Sequence, residues 1–520
     1  MNSKYKFSQD AIDNFMFIHA YWKNSCDGIN AAPENKWGYK RGDIPFIDYL
    51  CEDKSKYPKA SEGISYITNK PLYDPDNDFL IGNSGGILMN IDFIVINIER
   101  LSKAADTFDE YGTYCDYDPS TPAYESFWQR ETSRRKKGVF IKAKLYYKDI
   151  PKFFDANTTD EERESLLQPL RITGAHYTYL NYGRIERTPN DKERARLKRE
   201  GAEHVETVMG FPRYWDGDYW NFKIDEFIAN NKFHLTKAKA RRKGFSYKRG
   251  SQAANTINLF PNVTVTLAAD QLAYLTDKGA TTFMAKKCLD HFEEHTFWKR
   301  GYISEAIDDI LMGYRVSTKG LKNFGWLSNL YSVAIGKNES AAVGKKAIEI
   351  DFEEAGKCPN LQKALDVTLS NTESGAISVG TIRVYGTGGT KGANWAAFSK
   401  AFYNPKMNKM LCMENVWDIN KRHEVCGFFF PQVWDCEPYV ERGNSIIFTA
   451  YAWDKQDKEN HFHNNDSETH IIYKAQRANT PAEAFINTTE NMFASPELNL
   501  HVSDLINDNA TRFFQDGWIV

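Results

Sequence analysis

No stretch of about 18 consecutive apolar residues occurs in the 520-residue chain, so a membrane-spanning helix is not expected. A secretory leader is not expected either, because the opening Met1-Asn2-Ser3-Lys4-Tyr5-Lys6 leads into polar and aromatic sequence. Cysteine is scarce. The eight thiols (Cys26, Cys51, Cys115, Cys288, Cys358, Cys412, Cys426 and Cys436) include no C-x-x-C pair, which speaks against a disulfide framework or a structural zinc site. Reduced, mostly buried thiols in a cytoplasmic protein are the expectation. A charge surplus is missing too. Lys+Arg total 66 and Asp+Glu 69, so the net charge of −3 argues against a uniformly basic nucleic-acid coat protein and leaves local cationic patches open. There is no internal repeat and no low-complexity tract.

What the chain does have is apolar and ring-rich sequence. Apolar residues make up 42% and aromatics 14%, enough to rule out a mostly disordered chain. At roughly 100–200 residues per domain, the length suggests about three or four units. The first 125 or so residues are rich in Tyr, Asp, Asn and Phe and alternate poorly; Asn90 to Asp106 reads as a helix with Ile91, Phe93, Ile94, Ile98 and Leu101 on its apolar side. Two basic stretches follow. One, Arg130 to Lys144, holds Arg130, Arg134, Arg135, Lys136, Lys137, Lys142 and Lys144 against Glu131; the other, Lys192 to Arg199, sits on a helix or a hairpin. Each is either a solvated charged face or a contact for a polyanion such as DNA. From about residue 205 the character changes. Strands are predicted at Phe233–Thr236, Val263–Ala269, Ala347–Phe352 and Ala376–Tyr385, with helices at Tyr247–Leu259, Ala280–Trp298 and Leu361–Leu369. Strands alternating with helices predict a mostly parallel α/β sheet.

Three local features carry chemistry. The first is Lys237-Ala238-Lys239-Ala240-Arg241-Arg242-Lys243-Gly244-Phe245-Ser246-Tyr247-Lys248-Arg249, with seven cations and no acid, between a predicted strand and a predicted helix. A helix N-terminus with free N–H groups binds phosphate, and cations on the loop add to it. The usual phosphate loop reads G-x-x-x-x-G-K-[ST]. With Gly244 as its second glycine and Ser246 as its hydroxyl residue, Phe245 stands where the lysine belongs and Lys239 where the first glycine belongs. A lysine at the start of the loop can still reach the β- and γ-phosphates, and Ser246 would offer its hydroxyl to Mg²⁺. The residues expected to bind ATP are therefore Lys239, Ala240, Arg241, Arg242, Lys243, Gly244, Phe245 and Ser246. A basic turn without a nucleotide is the plainer alternative.

The second feature is Ile348-Glu349-Ile350-Asp351-Phe352-Glu353-Glu354, two adjacent carboxylates at a strand end. Adjacent residues there point to different sides, which suits two tasks: Glu353 as the Mg²⁺ acid with Ser246, and Glu354 as the acid that orients and deprotonates water. Asp351 is the rival metal acid if the strand ends earlier, and an acidic surface turn is the non-catalytic alternative. The third feature is the turn Gly386-Thr387-Gly388 after Arg383-Val384-Tyr385, where Thr387 is placed to sense the γ-phosphate at the edge of a parallel sheet.

In this order the three features resemble the ATPase part of tailed-phage large terminase subunits, the DNA-packaging motors, in the group common in phages of gut bacteria. Supporting matches are Gly174–Tyr182, Phe211-Pro212-Arg213-Tyr214-Trp215-Asp216-Gly217-Asp218-Tyr219, Gly427-Phe428-Phe429-Phe430-Pro431 and Thr480-Pro481-Ala482-Glu483-Ala484-Phe485. The resemblance implies an α/β P-loop NTPase of the additional-strand, catalytic-glutamate type, with a mostly parallel central sheet, preceded by an α+β N-terminal region. It implies that Lys239 binds phosphate, that Arg241 and Arg242 act as charge sensors in cis beside the catalytic Glu354, and that Gly386, Thr387 and Gly388 couple hydrolysis to movement. It also implies adenine packing near Asp216 to Phe222. ATP and Mg²⁺ are the expected cofactors. Expected partners are double-stranded viral DNA, the portal protein of the procapsid, the small terminase subunit and further copies of the chain in a homo-oligomeric ring. No membrane partner is expected, and the expected location is the host cell cytoplasm.

The organisation expected on this basis is an N-terminal region without a usable motif over 1–130, a basic lead-in segment over 131–204, the P-loop ATPase domain over 205–490, and a linker or the start of a missing nuclease domain over 491–520. Departures from the family pattern are the Glu at 353, where Asp is usual, and Phe245 in place of the ordinary lysine. A cation acting in trans is expected, with Lys345, Lys346 and Arg383 as candidates. Asp504, Asp508 and Asp516 are scattered, so a complete nuclease is not expected. His461, His463 and His470 have metal-like spacing but read better as an exposed polar loop. Two alternatives remain: another P-loop DNA translocase or helicase, and a non-hydrolysing nucleic-acid-binding assembly protein with a decayed phosphate loop.

Overall fold

The computed structural model describes residues 113–486 apart from short gaps, the longest at 145–151, 389–392 and 419–423. The helix expected at Asn90 to Asp106, the cation Lys345 and the acids Asp504, Asp508 and Asp516 lie outside the described residues.

An eight-stranded sheet organises the fold. In chain order its strands are β1 (Leu235–Lys239), β2 (Thr264–Ala269), β3 (Tyr302–Ala306), β4 (Asp309–Met312), β5 (Asn329–Ala334), β6 (Glu349–Phe352), β7 (Thr381–Thr387) and β8 (Phe428–Phe430). Their order across the sheet is β8-β1-β7-β6-β2-β5-β4-β3. The strands from β8 to β5 run parallel, and β4 and β3 add an antiparallel margin. Helices on both faces explain why the parallel strands are buried along nearly their whole length, as in β1 and β7.

The main helices are α1 (Pro122–Lys137), α2 (Gly174–Tyr182), α3 (Asp191–Arg199), α4 (Asp216–Asn231), α5 (Phe245–Leu259), α6 (Thr281–His295), α7 (Leu361–Leu369), α8 (Ala393–Tyr403), α9 (Ile447–Asn464) and α10 (Ser467–Gln476). The predicted parallel core is present with slightly shifted boundaries. One predicted strand divides: Ile377–Ser378 pairs only with Glu373–Ser374, and the long strand begins at Thr381. Between them Gly380 lies so close to the Ala347 carbonyl that a Cβ would come within 2.7 Å of it. The antiparallel margin, the parallel strand β5 and the edge strand β8 were not anticipated as strands.

A buried charge network lies against the interior strands β1, β7 and β6. Arg383 of β7 pairs with Asp225 (3.2 Å), Glu349 (3.2 Å) and Asp351 (3.4 Å), and Lys237 of β1 pairs with Asp225 at 2.6 Å. Arg249 of α5 pairs with Glu349 and Asp351. Low local polarity makes each ion costly alone and tolerable only because every partner is present.

The first basic stretch is only partly a solvated face. Arg135 is fully buried, donates to Asn255 and Asn258 of α5 at 3.0 Å each, and stacks 3.9 Å from the Trp298 ring. Burial pushes its guanidinium down to about 9. Glu131, also buried, accepts from Arg134 (2.6 Å), Tyr177 (2.7 Å) and Tyr182 (2.8 Å). The DNA-contact reading is therefore corrected for Arg135, a packing residue that ties α1 to α5; Arg130, Lys136 and Lys137 remain exposed or partly exposed. Trp128, Tyr177, Leu180 and Tyr182 of α1 and α2 share one apolar core with β1, α5 and α6. On α3, Arg194, Arg196, Lys198 and Arg199 lie toward solvent.

The three histidines also need correction. His461 and His463 lie on α9 and His470, buried, on α10, so they do not form an exposed loop. Among the described residues no group of three His, Cys, Asp or Glu side chains is arranged to hold a metal, and no helix is long and apolar enough to cross a membrane.

Candidate active site

β1 ends at Lys239, and a loop over 240–244 leads to α5. Its first half is pinned by its main chain: the Ala240 N–H donates to Phe430 O (2.9 Å) and the Arg241 N–H to Gln476 O (2.8 Å). Its second half is pinned by Lys243, whose buried ammonium donates to the carbonyls of Gln432 and Trp434 at 2.6 Å each. Burial pushes that ammonium down to about 8. Lys243 thus fixes the loop's shape with its side chain, while Arg241 and Arg242 stay exposed. Arg242 (φ 62°) and Gly244 (φ 65°) both take the left-handed conformation. That is free for glycine and costs an arginine roughly 1 kcal/mol or more, a cost the pinned loop sustains. Gly244 caps α5 without a side chain, so the first-turn N–H groups have no side-chain cap and face the loop.

Beside this loop opens a cleft of about 700 Å³ that runs from Lys239 and Glu354 past Ser246 to Pro212, Arg213 and Trp215. The three sequence features meet at its loop end. Thr387 and Lys239 are direct cross-strand partners on β7 and β1. Ser246 donates to Glu353 Oε1 at 2.7 Å. The neighbouring Glu354 has φ 50°, and this left-handed kink separates the paths of the two carboxylates. Glu354 Oε1 lies 3.8 Å from Lys239 Nζ, and its Oε2 accepts from Thr387 Oγ1 at 3.3 Å.

Glu353 is almost wholly buried, and its other oxygen, Oε2, accepts from the Thr281 hydroxyl. Burial raises its carboxyl to about 7, with the charge of Glu354 in the same direction and Thr281, Ser246 and Lys239 opposing. Asp351, the rival metal acid, is fully buried and paired with Arg249 and Arg383, whereas the contact of Ser246 is with Glu353. The same network removes Arg383 from the trans-acting candidates, since its guanidinium is buried within its own chain. Lys346 is exposed.

Phe245, expected at the position of the ordinary lysine, is buried and packs edge-on against Phe430 at 5.3 Å. The ammonium groups of Lys239 and Lys248 lie 5.5 and 5.3 Å from its ring, so the ring face seats cations. The Gly386–Gly388 turn depends on close approach: a Cβ at Gly386 would come within 2.9 Å of Ala355 N, and one at Gly388 within 2.0 Å of Ala484 O. The Thr480–Phe485 match thereby packs directly against this turn.

The adenine expectation is corrected in part. Tyr219, Trp220 and Phe222 belong to the apolar interior, and it is Pro212, Arg213 and Trp215, just before them, that line the cleft together with Asp218. Burial raises the Asp218 carboxyl above the usual carboxylate range, with Lys248 opposing and Asp435 adding to the rise. Sequence reasoning missed Thr281 and the Lys248–Asp218 pair. Thr281 lies in no motif, whereas Lys248 and Asp218 lie within the basic run and the Phe211–Tyr219 match, and only the fold shows that they pair.

Ser246 and Glu353 offer two hard oxygen donors in mutual contact, the chemistry that suits Mg²⁺. The uncapped start of α5 with Lys239 and two exposed arginines suits a polyphosphate.

No protein-family model and no curated protein matches the chain. Among solved structures it is similar to the large terminase ATPase domain of Thermus phage P74-26, at 12% identity and a TM-score of 0.34 over 56% of this chain and 99% of that one. A single-residue mutant of that same domain gives 14% identity and a TM-score of 0.23, over 42% of this chain and 75% of that one. The large terminase of another, thermophilic bacteriophage gives 12% and 0.27, over 38% of this chain and 45% of that one.

Proposed function

We propose that the chain is an ATP-hydrolysing motor subunit, the ATPase part of a phage large terminase, which drives viral double-stranded DNA into a procapsid. The observation that carries this reading is the meeting of Lys239, Ser246, Glu353, Glu354 and Thr387 at one edge of a parallel sheet. Strand order supports it as well, because β7 lies between the loop strand β1 and the acidic strand β6, the arrangement of the additional-strand P-loop class.

Each side chain then has a task. Lys239, Arg241, Arg242 and the first N–H groups of α5 bind the phosphates and offset the charge that grows on the γ-phosphoryl group. Ser246 and Glu353 would hold Mg²⁺, which would supply positive charge beside the phosphates. Glu354 orients a water and accepts its proton as the oxygen bonds to the γ-phosphorus; the bond to the β-γ bridging oxygen breaks, giving ADP and phosphate. Thr387, bonded to Glu354, carries the change at that carboxylate into the Gly386–Gly388 turn, and from there to a DNA-gripping element. Grip on DNA phosphates makes translocation sequence-independent and salt-sensitive. The partners that follow are the portal protein, the small terminase subunit and further copies of the chain in a ring, in the host cell cytoplasm.

Phosphate release by the purified chain tests the reading. Turnover should rise with double-stranded DNA and rise further with portal-bearing procapsids, and Lys239→Ala should lower it by about a hundredfold or more. Turnover unchanged by Lys239→Ala would refute the loop assignment. Stimulation by DNA but not by procapsids would favour another DNA translocase.

A further inference from the structure

The geometry points to Thr281 as a positioning residue that holds Glu353 in the pose needed to bind the divalent metal, an inference that rests on the ATPase reading above. Thr281 is fully buried at the first turn of α6, and its hydroxyl donates to Glu353 Oε2 while Ser246 holds Oε1 at 2.7 Å. Both oxygens of one carboxylate are thus gripped by hydroxyls from two different helices. That grip fixes the torsions of Glu353 and turns Oε1 toward Ser246.

The placement of Thr281 is built into the packing. Ser246 and Gly250 are spaced one helical turn apart and lie on the same side of α5. Gly250 has no side chain, and a Cβ there would come within 2.7 Å of Thr281 O and 2.9 Å of Ala285 N. Its absence lets the start of α6 settle against α5 one turn beyond Ser246. The next residue, Thr282, shares a 2.6 Å hydrogen bond with Ser332 of β5, which anchors α6 from the other side. Glu353 has one more rotatable bond than an aspartate would, and so one more torsion to restrain. Thr281 supplies that restraint at the oxygen opposite Ser246.

The test compares Thr281→Val, which keeps the shape and removes the hydroxyl, with Thr281→Ser, which keeps the hydroxyl. Two readouts are taken: Mn²⁺ binding in the presence of ADP by electron paramagnetic resonance, and the Mg²⁺ concentration for half-maximal ATP turnover. Loss of a side chain that orients a metal ligand lowers metal affinity by about 10–100-fold. Thr281→Val should therefore bind Mn²⁺ about tenfold or more weakly and need correspondingly more Mg²⁺, while Thr281→Ser stays within about twofold of wild type. Thr281→Ala serves as the second hydroxyl-free variant if the valine protein does not fold. Wild-type metal dependence in a folded hydroxyl-free variant overturns the assignment, as does equal weakening in Thr281→Ser. A wild-type chain that turns over no ATP and binds no Mn²⁺ would instead overturn the ATPase reading itself, and this inference with it.

Discussion

Replacing Glu354 with glutamine removes one negative charge and changes almost nothing else in shape. The amide oxygen can still accept from Thr387 Oγ1, now at 3.3 Å, so the Gly386–Gly388 turn keeps its contact. What is lost, besides a longer pair with Lys357 at 4.0 Å, is the charge pair with Lys239 at 3.8 Å. At that distance the raw attraction is about 4 kcal/mol for an effective dielectric of about 20, and about 1 kcal/mol in water. Glu354 is 26% exposed, so solvent screening brings the net contribution to folding toward the lower end, under about 1 kcal/mol. The catalytic cost is on another scale. A positioned general base contributes about 10²–10⁴-fold, or roughly 3–5 kcal/mol of barrier. Glu354→Gln should therefore unfold within a few degrees of wild type, bind ATP as well or better, and release phosphate at least about a hundredfold more slowly. Three measurements suffice: thermal unfolding, titration with a fluorescent ATP analogue, and single-turnover phosphate release. A folded, ATP-binding Glu354→Gln protein that still turns over within about fivefold of wild type would refute the assignment of Glu354 as the base.

Buried charge sets two further outcomes. The Glu353 carboxyl is raised to about 7 in the fold against about 4.5 when unfolded, so its protonated form contributes stability that is fully present below about 4.5 and is lost as pH rises through about 7. In metal-free buffer the wild type should thus lose about 3 kcal/mol relative to Glu353→Gln between about pH 4.5 and 8; a pH-independent difference in urea unfolding would show that Glu353 does not titrate this way. Arg383→Ala leaves Asp225, Glu349 and Asp351 short of a partner and should cost about 3–5 kcal/mol in the same assay. A stably folded Arg383→Ala protein that is inactive alone but regains turnover when mixed with Glu354→Gln subunits would restore Arg383 as a trans-acting residue.

The parts of the site legible in the sequence were those whose chemistry is fixed by chain neighbours. The run from Lys239 to Ser246 forms a strand–loop–helix because a buried strand, a glycine able to adopt positive φ and a helix start follow one another directly. Glu353 and Glu354 follow a short apolar strand, so their position at a sheet edge was set by burial of Ile350 and Phe352. Their pairing with Ser246 and Lys239, far earlier in the chain, follows once parallel strands align those ends. Charge and aromatic patterns were less informative, because they do not reveal a partner. Arg135 reads as one cation in a basic run, yet two asparagines of α5 and the Trp298 ring make it a packing residue. The resemblance placed adenine packing near Asp216 to Phe222, yet α4 turns Tyr219, Trp220 and Phe222 inward and leaves Trp215, at its N-cap, beside the cleft. Thr281 carries no signal at all: its place depends on Gly250, whose role emerges only when α5 and α6 pack. The chemistry of the loop and the acids is therefore encoded locally, whereas the groups that hold them still are encoded in helix contacts. Substitutions in the helix packing, at Gly250 as much as at Thr281, should consequently alter metal dependence without touching any motif residue.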